Sequence, residues 1–518
     1  MKRRKFLQTT SLATIPVLVN GMGLTAVTRS RLFNFLNGDS DRVLVLIQLN
    51  GGNDGLNMVV PIDQYDNLAA VRSNVLMPQN SLLKLSDTVG LHSAMPGLRD
   101  LFDDGKLSIV QSAGYPNQNR SHFRSTDIWQ TASASDEVLT TGWFGRYLES
   151  QYPDYPEGYP NTDCPDPFAL TIGSNTSETC QGTVANFSLA VNDPFNLSPI
   201  PESLEGSLPN NCYGDEMRFL IDAIKKTNAY SDVITAAAEK GANLSTKYDD
   251  TNNLARQLRT IALLISGGLR TKIYVANIGG FDTHAAQVTQ DDPTMGTHAL
   301  LLEFLSSAIE AFQDDLQLLG LEKRVMGMTF SEFGRRIRSN DSYGTDHGTA
   351  APLMLFGSCV NPGILGDNPE ISRDVDIQEG VPMQYDFRSV YGTVLMDWFD
   401  VPENEVRDLF YDDFQRLPIL DPCENPTSQN DWDKQAIEAT LFPNPVSEQS
   451  TLRFESNGQR VSVALFDAIG NHLSTITDRT LGSGLHEIPI PVSGYTPGVY
   501  FIRLQQGDRQ KTIRMVKR

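Results

Sequence analysis

The chain has 518 residues, of which 40% are hydrophobic and 20% charged. That is globular composition, with room for about two to four domains, or for one large domain with an appendage. The formal charge of −21 excludes nucleic acid as the expected partner, because phosphate backbones require clustered Lys and Arg.

The start, "MKRRKFLQTTSLATIPVLVNGMG", has a basic segment followed by an apolar run too short to span a bilayer. Residues 1–25 read as a signal peptide. "RRKFLQ" resembles the twin-arginine export signal, with Arg3 and Arg4 as the pair and Phe6-Leu7 following; the alternative is an ordinary secretory signal. No later segment is long and apolar enough to be a transmembrane helix, so none is expected in the mature chain.

From residue 41 to 425, strand-like and helix-like segments alternate. "RVLVLIQLN" is a continuous apolar run, as expected of a strand buried on both faces. "KLSIVQSAG", "TKIYVANIGG", "RVMGMTFSE" and "APLMLFG" read the same way. "MPGLRDLFDDG" and "HALLLEFLSSAIEAFQDDLQLLG" carry apolar residues at helical spacing, with Gly320 as the stop. The pattern predicts an α/β fold, a largely parallel sheet with helices on both faces. Residues 151–215 are rich in Pro, Asn, Ser and Asp and read as a loop-rich insertion or lid. Three of the five cysteines, Cys164, Cys180 and Cys212, lie there, and a disulfide among them is expected in an oxidising compartment. No C-x-x-C occurs, which argues against a structural zinc knuckle.

In open parallel sheets, ligands bind beyond the carboxyl ends of the strands. The residues that follow the expected strands are therefore the candidates. The first strand runs into "GGNDG" with Asp54, and the second into "YPNQNRSHF" with Arg120, Ser121 and His122. The third runs into "FDTH" with Asp282 and His284, the fourth into "SEFGRR" with Glu332 and Arg335. "GTDHG" with Asp346 and His347 precedes the last. Three of the region's five histidines fall in these loops. Carboxylates mixed with imidazoles suit Zn²⁺, Mn²⁺ or a similar ion. Each residue also has a plainer reading taken alone. Asp54 and Asp346 suit turns, Ser121 suits a helix N-cap, and Glu332 suits an ion pair with a nearby arginine. His122 suits a backbone contact or packing under its loop. His298 opens a helix, and His92 reads as structural.

The motifs "LVLIQLNGGNDGLNMVVP", "LHSAMPGLRDLFDDGKLSIVQSAGYPNQNRSHF", "GGFDTH" and "TFSEFGRRIRSNDSYGTDHGTAAPLMLFG" together resemble the DUF1501 family of bacterial exported proteins, over roughly residues 41–420. That family is remotely similar to the alkaline phosphatase superfamily. The resemblance implies a metal-dependent hydrolase of phosphate esters. Ser121 would be its nucleophile, and Arg120 or Arg335 would hold the non-reacting oxygens. Asp54, Asp282, His284, Glu332, Asp346 and His347 would be the ligand set for one or two divalent ions, zinc foremost. Two alignments of the last motifs stay open, with "TDHG" as the superfamily's Asp-His pair or with Glu332 in that place and His347-Gly348 as its later His-Gly. The D-x-H spacing departs from that pattern, and no C/S-x-P-x-R motif of sulfatases is present. The implied substrate is a small-molecule or polymer ester. The alternative is a non-catalytic cell-surface binding protein that retains the fold.

Residues 426–436, inside "LPILDPCENPTSQNDWDKQ", read as a linker. From 437 to 518, polar and apolar residues alternate in short runs between Gly and Pro turns, which predicts a small all-β sandwich. "LFPNPVSEQSTLRF … GVYFIRLQQGDRQKTIRMVKR" resembles the C-terminal sorting domain of the type IX secretion system; a carbohydrate-binding or adhesion sandwich is the alternative. The resemblance implies export and type IX machinery as partners, with a secreted or cell-surface destination reached via the periplasm.

Overall fold

A computed structural model describes residues 41–197, 209, 211–411, 413–421, 439–458, 460–466, 472–506 and 509–518, with the backbone of 17–19 and 22–24. The expected twin-arginine pair lies outside the described residues. The chain divides into two compact units, 1–426 and 427–518.

The first unit is organised on a nine-stranded sheet. Its strands are β1 (Val43–Asn50), β2 (Leu107–Gly114), β3 (Ala169–Ile172), β4 (Ser188–Val191), β5 (Ile273–Gly279), β6 (Val325–Phe330), β9 (Ala351–Phe356), β10 (Gly363–Leu365) and β11 (Tyr385–Asp386). A short hairpin, β7 (Arg335–Ser339) and β8 (Thr345–His347), stands apart from it. The order is β10-β2-β9-β6-β1-β5-β3-β4, with β11 also on β2. Every pairing is parallel except those of β9, which runs against β6 and β2.

β1 is buried along all but its last residue, and its side chains feed two cores because successive residues point to opposite faces. Val43, Val45, Ile47 and Leu49 join one core, where Leu98, Leu258, Ile261, Leu302, Leu305 and Ile309 pack. Those residues come from α3 (Pro96–Asp103), α7 (Asn253–Ser266) and α8 (Thr297–Leu318). Leu44 and Leu46 join the other, with Ile128 and Trp129 of α4 (His122–Thr131), Trp143 and Phe144 of α5 (Trp143–Gln151), and Tyr391 and Val394 of α9 (Phe387–Asp397). Helices thus cover both faces. Four further helices are α1 (Gly55–Met58), α2 (Tyr65–Arg72), α6 (Cys212–Lys240) and α10 (Glu403–Leu409). α8 ends one residue before Leu319, and Gly320 follows with φ +70°, a left-handed conformation that glycine adopts without a Cβ penalty.

Two expectations for 151–215 need correction. The segment is not simply a lid, because β3 and β4 lie in it and extend the sheet beyond β5. "FALTI" and "FSLAV" are short apolar runs whose surrounding Pro and Asn hid them. Nor does a disulfide link its cysteines: Cys164 and Cys180 are free thiols, Cys180 fully buried. Among the described residues, Cys359 is disulfide-bonded.

The second unit is all antiparallel. Its strands are β12 (Ala439–Phe442), β13 (Gln449–Asn457), β14 (Arg460–Phe466), β15 (His472–Thr480), β16 (Ser483–Pro491), β17 (Gly498–Gln506) and β18 (Arg509–Lys517). They form one sheet in the order β12-β13-β16 and another in the order β15-β14-β17-β18. Leu452, Phe454 and Ile490 from the first meet Val463, Leu465, Ile502 and Leu504 from the second in one core, the packing of a sandwich.

Candidate metal centre

The register of the central strands determines which loops meet. β1 pairs residue for residue with β5 on one side, up to Asn50 opposite Gly279, and with β6 on the other, up to Gln48 opposite Phe330. β1 and β5 end at one level and β6 two residues short of it, so 51–54, 280–284 and 331–334 emerge from the same edge. Gly51 has φ +119°, and a Cβ there would stand 2.3 Å from the Asp282 backbone nitrogen. Gly51 is thus what lets the Asp282 loop approach.

Four side chains converge at this edge. Asp282 Oδ1 is 3.4 Å from His122 Nε2, 3.2 Å from His284 Nε2 and 3.2 Å from His347 Nε2. The Nε2 atoms of His284 and His347 face each other at 2.9 Å. His122, Asp282 and His347 each place a ligand atom within 4.8 Å of the others.

The other ring nitrogen of each histidine is committed. His347 Nδ1–H donates to the Arg120 carbonyl at 2.8 Å. That assignment is forced, because a carbonyl only accepts. His122 Nδ1 lies 2.8 Å from Glu332 Oε1 and His284 Nδ1 lies 2.9 Å from Asp346 Oδ1. Both contacts suit an N–H donating to a carboxylate. In the neutral rings all three Nε2 atoms then carry lone pairs. Two of these meet head-on, and His122 Nε2 is buried without a hydrogen-bond partner. Lone pairs gathered around a carboxylate oxygen repel unless a proton or a cation lies among them. The three separations from Asp282 Oδ1 are close to the ~3.3 Å edges of a tetrahedral shell with ligands at about 2.0 Å, although His284 lies outside the group whose ligand atoms are all mutually within 4.8 Å. Imidazoles oriented by carboxylates or carbonyls are also the usual second layer of a metal site. The residues therefore fit a divalent ion.

Burial pulls the Asp282 carboxyl upward, but Arg335, His347 and His284 outweigh it and hold it down at about 2. Asp346 is lowered too, as bonds from His284 and Asn340 and the charge of Arg336 overcome its burial. His347 is lowered chiefly by desolvation. At neutral pH the carboxylates are charged and His347 is neutral, the forms that ligate a cation.

The remaining candidates are placed as follows. Glu332 is buried behind His122 and accepts the Gly51 N–H at 2.8 Å, so it orients that imidazole. Asp346 does the same for His284. Arg335 has no solvent-facing donor: its guanidinium is buried and donates to the carbonyls of Gly51, Gly52, Phe281 and Thr345 and to Asp282 Oδ1 at 2.8 Å. It stands behind Asp282 and ties the loops together. Asp54 is fully buried and apart from the imidazole cluster. It is paired with Arg72 of α2, and it accepts from Gln287 Nε2 at 2.6 Å. Ser121 is the exposed N-cap of α4, and its hydroxyl makes no cap bond. Arg120 donates to the Gln378 carbonyl at 2.6 Å; desolvation and the nearby charge of Arg336 lower its pKa.

His122 is the ligand-type residue that sequence reasoning missed in favour of its neighbour Ser121. The available signal was its place, together with His284 and His347, among the loops at the strand ends.

Residues 223–397 match the family model described as "Protein of unknown function (DUF1501)", and residues 440–518 match "Secretion system C-terminal sorting domain". No curated protein matches the sequence. Among solved structures, the chain is similar to a sulfatase from Pseudoalteromonas sp., at 9% identity, covering 89% of this chain and 88% of that one with a TM-score of 0.33. It is also similar to a protein in the alkaline phosphatase superfamily from Vibrio parahaemolyticus, at 8% identity, 91% of each chain and a TM-score of 0.28. A phosphonate monoester hydrolase from Silicibacter pomeroyi matches at 11% identity, over 92% of this chain and 89% of that one, with a TM-score of 0.30. No helix among the described residues is long and apolar enough to cross a membrane. Residues 223–397 thus match the DUF1501 family model, and the C-terminal secretion-system sorting domain at 440–518 marks the chain as a secreted or cell-surface protein.

Proposed function

We propose that the protein is an exported hydrolase of phosphate esters that depends on a single divalent ion, zinc being the best fit, with Ser121 as nucleophile. The observation that carries this reading is the convergence of three oriented imidazoles on Asp282 Oδ1. His122, His284, His347 and Asp282 would hold the ion. One ion is favoured over two because Asp54 is neutralised by Arg72, apart from the imidazoles.

When bound, such an ion polarises a phosphoryl oxygen and favours ionisation of a nearby hydroxyl. Ser121 precedes the ligand His122 and keeps its hydroxyl free of a cap bond. Its oxygen would bond to phosphorus as the alcohol leaves with the serine proton, and water would then cleave the phosphoserine. Arg120, with Arg336 close by, would offset the charge of the non-reacting oxygens. Arg335 is left out of that role because its donors are spent on carbonyls and Asp282.

The test is turnover of aryl phosphates, phosphodiesters and aryl sulfates by zinc-loaded protein, alongside Ser121→Ala. Phosphate-ester turnover lost in the variant supports the reading, and turnover that survives Ser121→Ala removes the serine from it. The second reading, a cell-surface binding protein without catalysis, is favoured by the Arg335–Asp282 pair, which already gives the carboxylate a cation. Protein that neither contains nor takes up zinc would decide for it.

A further inference from the structure

Behind the ion-facing side chains lies a fully buried amide, Gln287. Its Oε1 accepts two hydroxyl groups, Thr283 at 3.0 Å and Thr345 at 2.6 Å. Its Nε2 donates to Asp54 Oδ2 at 2.6 Å. Asp54 is in turn paired with Arg72, whose guanidinium is also buried. The amide has one way to sit: only its NH₂ can face a carboxylate, and only its oxygen can take two hydroxyl donors at once.

The two threonines are placed where this matters. Thr283 stands between Asp282 and His284. Thr345 opens the strand that carries Asp346 and His347. Their backbones also meet, with Thr345 N–H donating to the Thr283 carbonyl at 3.1 Å. A single side-chain oxygen therefore bridges the loop bearing two of the four ion-facing groups and the strand bearing a third. The ionic pair Asp54–Arg72 fixes the other end of that amide.

We propose that Gln287 is a positioning residue, anchored on Asp54, that sets the separation of the His284 and His347 imidazoles through Thr283 and Thr345. The proposal rests on the metal-centre reading above and adds what holds its geometry. Asp54 then has a role as well, since its carboxylate serves the centre through Gln287 without touching the ion.

The double variant Thr283→Val/Thr345→Val removes both hydroxyls at nearly constant shape, and Gln287→Met removes the bridge itself. Full-length protein is titrated with Zn²⁺ against a chromogenic chelator, and Co²⁺ is used as a visible-absorption probe of the ligand shell. Losing an outer partner of ligating residues typically weakens metal binding by about 10–100-fold. The expected result is such a loss, with an altered Co²⁺ spectrum, in a metal-free protein that still unfolds cooperatively. Gln287→Met serves as the second variant if the valines impair folding. Wild-type affinity and an unchanged Co²⁺ spectrum in both variants would overturn the proposal and leave the metal centre standing. A wild-type protein that binds neither ion would overturn both.

Discussion

His122 Nδ1 lies 2.8 Å from Glu332 Oε1, and the same carboxylate oxygen accepts the backbone N–H of Gly51 at 2.8 Å. One buried oxygen thus aims an imidazole from the start of α4 and pins the loop after β1. A histidine that donates to a carboxylate is a stronger ligand through its other nitrogen.

Replacing this carboxylate by an amide keeps the shape and removes the charge. Glu332→Gln is expected to weaken zinc binding by about 10-fold, and Glu332→Ala, which leaves two donors unpaired, by nearer 100-fold. Chelator competition on both variants measures this. Affinities equal to wild type would mean that His122 takes no part in binding.

Arg335 is a stability prediction. Its guanidinium is buried and serves four carbonyls and Asp282. A lysine has three donors in place of five and no planar fork. Arg335→Lys therefore leaves buried carbonyls unpaired at about 1–3 kcal/mol each, and a total loss of about 2–5 kcal/mol is expected. Urea unfolding of the metal-free protein reads it. A loss under about 1 kcal/mol would show that water replaces the missing donors.

Acid stability follows from two other histidines. His92 and His298 are fully buried, and desolvation pushes their pKa values down to about 4 and about 3, against the upward pull of Asp54. Arg72 and Arg335 add to the depression of His298. The folded protein keeps both rings neutral while the unfolded chain protonates them near pH 6.5. Stability from this source is complete above about pH 6.5 and falls as pH drops through the window down to 4 and 3. At about 1.36 kcal/mol per pH unit, the windows correspond to on the order of 3 kcal/mol for His92 and 5 kcal/mol for His298. His298→Gln should flatten the acid side of a stability–pH curve between pH 6 and 4, whatever its effect at pH 7. An unchanged slope there would assign acid unfolding to other groups.

The sheet was legible in the sequence because its central strands are buried on both faces. "RVLVLIQLN" and "RVMGMTF" are apolar without alternation, and that pattern belongs to the middle of a parallel sheet. The strands Ala169–Ile172 and Ser188–Val191 were not, since four residues each, set among prolines and asparagines, fall below any periodic signal. Strand ends named the loops that meet, and so put Asp282, His284 and His347 among the candidates by place. The direction of a side chain was beyond that reasoning. Whether Arg335 faces solvent or four carbonyls depends on the β7–β8 hairpin that sets it opposite His347. Whether Asp54 meets an ion or Arg72 depends on a contact between α2 and the first loop, with no local mark in the sequence.

Gly51 tests the construction of the site from the backbone side. Its φ of +119° is one that residues with a Cβ rarely adopt. A methyl there would also overlap the Asp282 nitrogen at 2.3 Å and Phe281 C at 2.8 Å. Backbone atoms cannot turn aside as a side chain can, so the 280–284 loop must move. Strain at such a position is of order 1–3 kcal/mol. Displacing Asp282 and His284 by even a fraction of an ångström would take two donors out of the shell of the proposed ion. Gly51→Ala is thus expected to cost a few kcal/mol in unfolding and at least about 100-fold in zinc affinity. Gly268→Ala serves as the control, since its φ is also positive, at +95°, and nothing stands within 4 Å of its added Cβ. It should share the strain and leave zinc binding unchanged. Equal losses of affinity in the two variants would mean that backbone strain alone, without the contact between Gly51 and Asp282, governs the site.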